Sequence, residues 1–305
     1  MKYTDFNFKR DGFVGHLAEP ENSNGKAVIV IMGGEKSLLP GIKIAERFAD
    51  FGFIGLSVSL FGAEGLPDGI DRIPLEMFIP AIEYLKNKKG AKSVSLYGMS
   101  MGSVFAALIG QHIGGIDNIV MVSPSHVPFE GTLADKKTMT GKSMATWQGK
   151  DIPFVKEDFS GGGMNKYIYS KEAGRKVTKM WQAYYNAYKN KELEEKAALH
   201  LEKTGARILM IAGTGDEMWY SDYSVRYLKQ RLDSANYEKE YKAVIYPNVS
   251  HLTGIVPNKE REKILYFLLP LIGIFYKSLG KYKKECMEAF AQSEKEIIDF
   301  ISEGR

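Results

Sequence analysis

A single cysteine, Cys286, stands among 305 residues, so no intrachain disulfide can form. Such usage fits a reducing compartment, and we expect a cytoplasmic protein. The N-terminus, Met1-Lys2-Tyr3-Thr4-Asp5, lacks the apolar core that a secretion signal needs. A membrane-length hydrophobic run is also missing. The most apolar stretch, Ile264 to Tyr276, is too short, contains Pro270 and Gly273, and is flanked by Lys263 and Lys277. It predicts a buried or pocket-lining helical segment and argues against an integral membrane segment. No charge of one sign dominates, since 41 Lys and Arg face 37 Asp and Glu. With these scattered, the net +4 does not make a nucleic-acid footprint. Repeats and low-complexity segments are absent as well.

What is present is an alternation of elements. Hydrophobic residues make up 44%, enough for a sizeable core. Tyr3 to Phe8 and Phe13 to Leu17 flank Arg10-Asp11-Gly12, and Asp-Gly predicts a hairpin. Apolar, β-branched runs at 27–32 and 53–59 read as buried strands, the first typical of a parallel sheet, and 93–97, 119–122, 207–212 and 241–246 read as further strands. Between them, 40–51, 74–88, 102–111 and 221–232 carry helical spacing, and a last helix runs over about 282–301. Pro74 is acceptable in a helix's first turn. Strand–helix alternation predicts a mostly parallel sheet with helices on both faces. The pattern breaks over residues 126–203, which are polar, glycine-containing and helix-prone over 176–201. We read the chain as one domain with 126–203 inserted as a cap or lid.

Gly98-Met99-Ser100-Met101-Gly102 fits G-x-S-x-G between a predicted strand and a predicted helix. That context makes a nucleophile elbow of the α/β-hydrolase fold, with the serine hydroxyl at the C-terminal rim of the sheet. The bland alternative is a glycine-rich turn with an incidental serine. A serine hydroxyl needs a base. Of five histidines, His251 follows the last predicted strand and comes last in the order serine, acid, histidine. His126 follows a strand at the same rim and competes. His16 lies in the hairpin, His112 at the far end of the elbow helix, and His200 in the insertion. The acid should follow the strand 207–212. Asp216 and Glu217 both qualify by position, and the shorter arm favours Asp216, which equally suits helix capping. For the oxyanion, we expect the amide of Met101 and one from the loop after strand 27–32, Gly34 or its neighbour Glu35. This chemistry calls for no cofactor and no metal.

These residues resemble the C-terminal catalytic domain shared by acyl-CoA thioesterases and bile acid-CoA:amino acid N-acyltransferases. The likeness is carried by 61–67 (FGAEGLP) with 73–76, by 147–153 (WQGKDIP), by Gly213 to Trp219, and by Tyr246-Pro247 with His251. It runs over roughly 25–257. The resemblance implies a Ser100–His251–Asp216 triad acting on a small-molecule acyl ester or acyl-CoA. Three departures stand out. The chain enters the hydrolase pattern almost at once, so we expect no immunoglobulin-like domain before it. Met101 stands where the family often has Lys, and Gly215 where it often has Asp. Acyltransferase members typically use Cys as nucleophile, so Ser100 favours hydrolysis.

The expected activity is therefore acyl-CoA thioesterase-like, falling as pH drops below about 6–7 because the base must be neutral. A carboxylesterase or dienelactone-hydrolase-like enzyme, an N-acyltransferase, and a silent hydrolase fold that only binds a partner are the alternatives. Lys136, Lys137, Lys142 and Lys150 read as a solvated face or as contacts for CoA phosphates. A homo-oligomer is left open.

Overall fold

In a computed structural model, residues 1–135, 138–156, 165–255 and 276–303 are described. The chain opens with β1 (Lys2–Phe6), the helical turn α1 (Phe8–Asp11), β2 (Gly15–Glu19), β3 (Lys26–Ile31), α2 (Leu39–Asp50) and β4 (Ile54–Val58). Next come β5 (Ile73–Pro74), α3 (Ile79–Glu83), β6 (Ser93–Met99), α4 (Met101–His112) and β7 (Asn118–Val122). Short strands follow: β8 (Glu130–Thr132), β9 (Met139–Ser143), β10 (Ala145–Trp147), β11 (Lys150–Asp151), β12 (Tyr167–Ser170) and β13 (Arg175–Thr178). The chain continues through α5 (Lys179–Ala187), α6 (Lys191–Ala197), β14 (Arg207–Gly213), α7 (Ser221–Ser234) and β15 (Tyr241–Tyr246). A short helix over Lys277–Lys281 and a terminal helix over Lys283–Glu303 close it.

Eight strands form one sheet in the order β1-β2-β4-β3-β6-β7-β14-β15. β1, β2 and β4 pair antiparallel, and every other pair is parallel. Alternation within the strands explains the layers. Ile29, Ile31, Leu96, Met121, Ile208 and Met210 face one side, where Phe105 and Leu108 of α4 and Val225 and Leu228 of α7 cover them. Val28, Val30, Tyr97, Val120, Leu209 and Ile211 face the other, under Phe48 of α2 and Ile297 and Phe300 of the terminal helix. Each such fully buried aliphatic side chain contributes about 1.5–3 kcal/mol relative to exposure. A half-buried ion pair, Arg47 with Glu294, ties α2 to the terminal helix at 2.7 Å. The fold is that of an α/β-hydrolase, with helices on both faces as its sequence pattern requires.

Register sets the site. Ile31 stands opposite Gly98, Met99 opposite Val122, and Gly213 opposite Tyr246. The parallel strands thus end together, and the loops after β3, β6, β7, β14 and β15 leave the sheet at one rim.

Two expectations need correction. The first two strands do pair, yet Asp11-Gly12 ends a helical turn instead of making a two-residue hairpin turn. The Asn7 side chain accepts from Arg10 N, and Gly12 (φ 77) donates back to Phe8 O. Residues 74–88 are not one regular helix. Pro80 has no N–H for the carbonyl of Glu76; Ile79 donates to that carbonyl instead, a tighter three-residue turn. The apolar face survives, with Leu75, Phe78, Ala81, Ile82 and Leu85 buried. Within 126–203, the helix-prone part carries α5 and α6, and short strand pairs precede them: β8 with β9, β10 with β11, and β12 with β13. β10 also pairs with β5, outside the insertion. Ile264–Phe275, Lys136 and Lys137 lie outside the described residues. Among the described residues, no helix is long and apolar enough to cross a membrane.

Candidate functional site

The sharpest backbone feature is at Ser100, with φ 56 and ψ −126. A non-glycine residue adopts this only where its surroundings over-determine it. Here Ser100 N donates to Val122 O at 2.9 Å, and Ser103 N and Oγ both donate to Ser100 O. The flanking glycines are required by space. A Cβ on Gly98 would overlap the carbonyl of Gly102, and one on Gly102 would overlap the carbonyl of Ile31. Gly102→Ala is therefore expected to cost about 3 kcal/mol, the upper range for overpacking. The shift in urea midpoint at constant slope measures it; no shift would mean that β3 yields freely.

His251 arrives on the loop after β15, and the Asp216 loop presses against it backbone to backbone. A Cβ on Gly215 would overlap the carbonyl of Asn248, and one on Gly213 that of Val249. This accounts for glycine before the acid. His251 Nε2 lies 3.0 Å from Ser100 Oγ, and Nδ1 lies 2.8 Å from Asp216 Oδ2. The other oxygen of Asp216 accepts from Met218 N (2.9 Å) and Trp219 N (3.2 Å). The carboxylate thus holds its own turn with one oxygen and the imidazole with the other. His251 and Asp216 are 5% and 1% exposed, so this pair is shielded from solvent screening. Burial works against a charged imidazole, but Asp216, with Glu217 and Glu35 behind it, outweighs burial and holds the His251 pKa above its usual value.

Sequence reasoning missed Ser123. It follows β7 at the same rim with φ 46. Its Oγ donates to His251 O at 2.6 Å, and its carbonyl accepts from Trp219 Nε1 at 2.9 Å. Trp219 in turn presents its ring edge-on to His251, centroids 5.3 Å apart. A polar residue closing an apolar strand was the available signal.

Glu217, the other acid considered, points away from the imidazole. It accepts from Ser250 Oγ and Ser278 N, both at 2.9 Å. Burial pushes its pKa up. His126 is not brought to Ser100. It is fully buried, 3.0 Å from Glu194 and 2.9 Å from Ser224, among Tyr188, Tyr223 and Tyr227. Burial pushes its pKa down. His16 pairs with Asp5, His200 with Glu202, and His112 packs on Trp147.

Ser100 and His251 open on a cavity of about 340 Å³. Gly34, Glu35 and Met101 border it, as do Trp219, Tyr184 and Tyr276. Gly33 is held against the serine: a Cβ there would sit 3.0 Å from Ser100 Cβ. Thr132, Met180 and Tyr184, from the 126–203 insertion, complete the wall. Lys142 and Lys150 are exposed and do not line the cavity. Among the described residues, no group of three or more His, Cys, Asp or Glu is placed to hold a metal ion.

Residues 73–257, more than half of the chain, match the family described as BAAT / Acyl-CoA thioester hydrolase C terminal. The chain belongs to this BAAT / acyl-CoA thioester hydrolase family. The stretch matching the family takes in Ser100, Asp216 and His251 but begins after the Gly33-Gly34 loop. Within the family, mouse acyl-coenzyme A thioesterase 5 is 24% identical over 211 residues, 68% of this chain and 44% of that protein. Human acyl-coenzyme A thioesterase 1 is 24% identical over 212 residues, again 68% and 44%. The chain therefore spans less than half the length of these relatives. Among solved structures, a thermostable carboxyl esterase from Bacillus coagulans shares the fold, with a TM-score of 0.50 at 13% identity, covering 81% of this chain and 90% of that one.

Proposed function

We propose that this protein is a serine hydrolase that cleaves small-molecule acyl thioesters or esters, of the acyl-CoA class its family name points to. The observation that carries this reading is the hydrogen-bonded relay Ser100–His251–Asp216, 3.0 and 2.8 Å long, at the floor of a cavity. In this reading Ser100 Oγ attacks the acyl carbonyl while His251 Nε2 takes its proton. Asp216 keeps the proton of His251 on Nδ1, leaving Nε2 as acceptor. The amides of Met101, at the start of α4, and Gly34 receive the oxyanion. His251 then protonates the leaving thiol or alcohol and activates the water that releases the acid. Residues 126–203 act as the cap, since Thr132, Met180 and Tyr184 wall the cavity.

A raised imidazole pKa has a kinetic consequence. Protonated His251 cannot accept the serine proton, so the acid limb of kcat/KM should have its midpoint above the ordinary histidine value of about 6.5. A pH–rate profile with a limb below that value would contradict the electrostatic role given to Asp216. A hydrolysis panel offering each acyl chain as CoA thioester and as p-nitrophenyl ester tests the function itself. Thioester preference supports the acyl-CoA reading, ester preference moves it to carboxylesterase, and no turnover of either overturns it.

A further inference from the structure

Glu217 is wholly buried beside the proposed acid, yet the mechanism above gives it no task. A buried carboxylate costs several kcal/mol unless its oxygens are well bonded. Its hydrogen bonds among the described residues lead to three other pieces of chain. Oε2 accepts from Ser250 Oγ, the residue before His251, at 2.9 Å. Oε1 accepts from Ser278 N at 2.9 Å and from Tyr167 OH of β12 at 3.5 Å. The Glu217 carbonyl accepts from Thr178 of β13, through Oγ1 at 2.6 Å and N at 3.2 Å. Ser278 also donates its Oγ to Gly215 O at 2.7 Å. Two residues earlier, Tyr276 lines the cavity with its ring parallel to His251, centroids 6.5 Å apart.

We propose that Glu217 is a positioning residue that fixes two walls of the cavity, the His251 loop and the Tyr276 segment, and anchors the β12–β13 hairpin that leads into α5, where Met180 and Tyr184 form a third. The inference rests on the hydrolase reading and assigns no bond-making to Glu217. Its carboxylate accepts from both Ser250 and Ser278, which bracket the imidazole loop and the Tyr276 wall. Removing it leaves a buried hydroxyl and a partly buried amide without their acceptor, and both would move to find another. Displacement of a base or a substrate wall by about 1 Å can cost on the order of 100-fold in rate. Glutamine, in contrast, keeps an oxygen for Ser278 N–H and offers its NH₂ to Ser250 Oγ.

The test compares wild type, Glu217→Ala, Glu217→Gln and Ser250→Ala on a p-nitrophenyl ester, well below each variant's Tm. Glu217→Ala should lower kcat/KM by about 30-fold or more, with KM raised and kcat reduced. Glu217→Gln should stay within about threefold of wild type on both constants. Ser250→Ala removes only the link to the imidazole loop and should lower kcat by about fivefold at unchanged KM. It also keeps the test open if Glu217→Ala does not fold. Wild-type kinetics in Ser250→Ala and in any folded Glu217→Ala would overturn the inference, as would a Glu217→Gln loss equal to that of Glu217→Ala. A purely structural role would lower Tm and leave the kinetic constants alone. Ser100→Ala, run beside them, separates the two claims: if it is as active as wild type, the hydrolase reading itself fails.

Discussion

Ser100→Ala is expected to lower kcat by about 10⁴- to 10⁶-fold, with KM little changed. The methyl group fits where the hydroxymethyl stood, so substrate still enters the cavity. What disappears is the oxygen that His251 would activate. Residual turnover would come from the Met101 and Gly34 amides and from binding, which alone leave about 10³- to 10⁴-fold over water in triad hydrolases. Stability should change little, because alanine carries no greater penalty at φ 56 than serine does. Steady-state kinetics on an activated ester, with a thermal melt alongside, reads both numbers. A variant within tenfold of wild type would mean that another group does the chemistry.

Asp216→Asn should lose about 10⁴-fold in kcat. The backbone amides of Met218 and Trp219 already occupy one carboxylate oxygen. An asparagine there must keep its single oxygen on those donors, which turns its NH₂ toward His251 Nδ1. The imidazole then carries its proton on Nε2 and donates to Ser100 instead of accepting from it. The same change removes the charge that raises the His251 pKa, so the acid limb of any residual activity should move to lower pH. Because the turn keeps its acceptor, the melting temperature should fall only slightly. A large activity loss in Glu217→Gln with Asp216→Asn near wild type would shift the acid by one residue.

Much of this arrangement was legible because it is local. A tight G-x-S-x-G turn between a buried strand and a helix, and the chain order serine, acid, histidine, can be read along the sequence. So can the parallel strands, whose runs such as Ala27 to Ile31 are apolar on both faces. Contacts between loops were not legible. Position alone left Asp216 and Glu217 level; only the path of the loop turns one toward His251 and the other toward Ser250 and Ser278. Gly215 looked like a departure from the family pattern, whereas the approach of Asn248 leaves no room for a side chain. Ser123 carries no motif, and its role depends on where two distant loops pass. The strands β8 to β13 are two to five residues long, too short for a period to register. Pro80 broke the regular helix over 74–88 while leaving its apolar face intact, so the pattern survived and the geometry did not.

The central claim is that His251 activates Ser100, and the site of attachment of a fluorophosphonate probe tests it most directly. Peptide mapping after labelling should find one adduct, on the peptide carrying Ser100, with none in Ser100→Ala and labelling slowed by about 10³-fold or more in His251→Ala. An adduct on a different residue, or undiminished labelling of the His251→Ala protein, would contradict it.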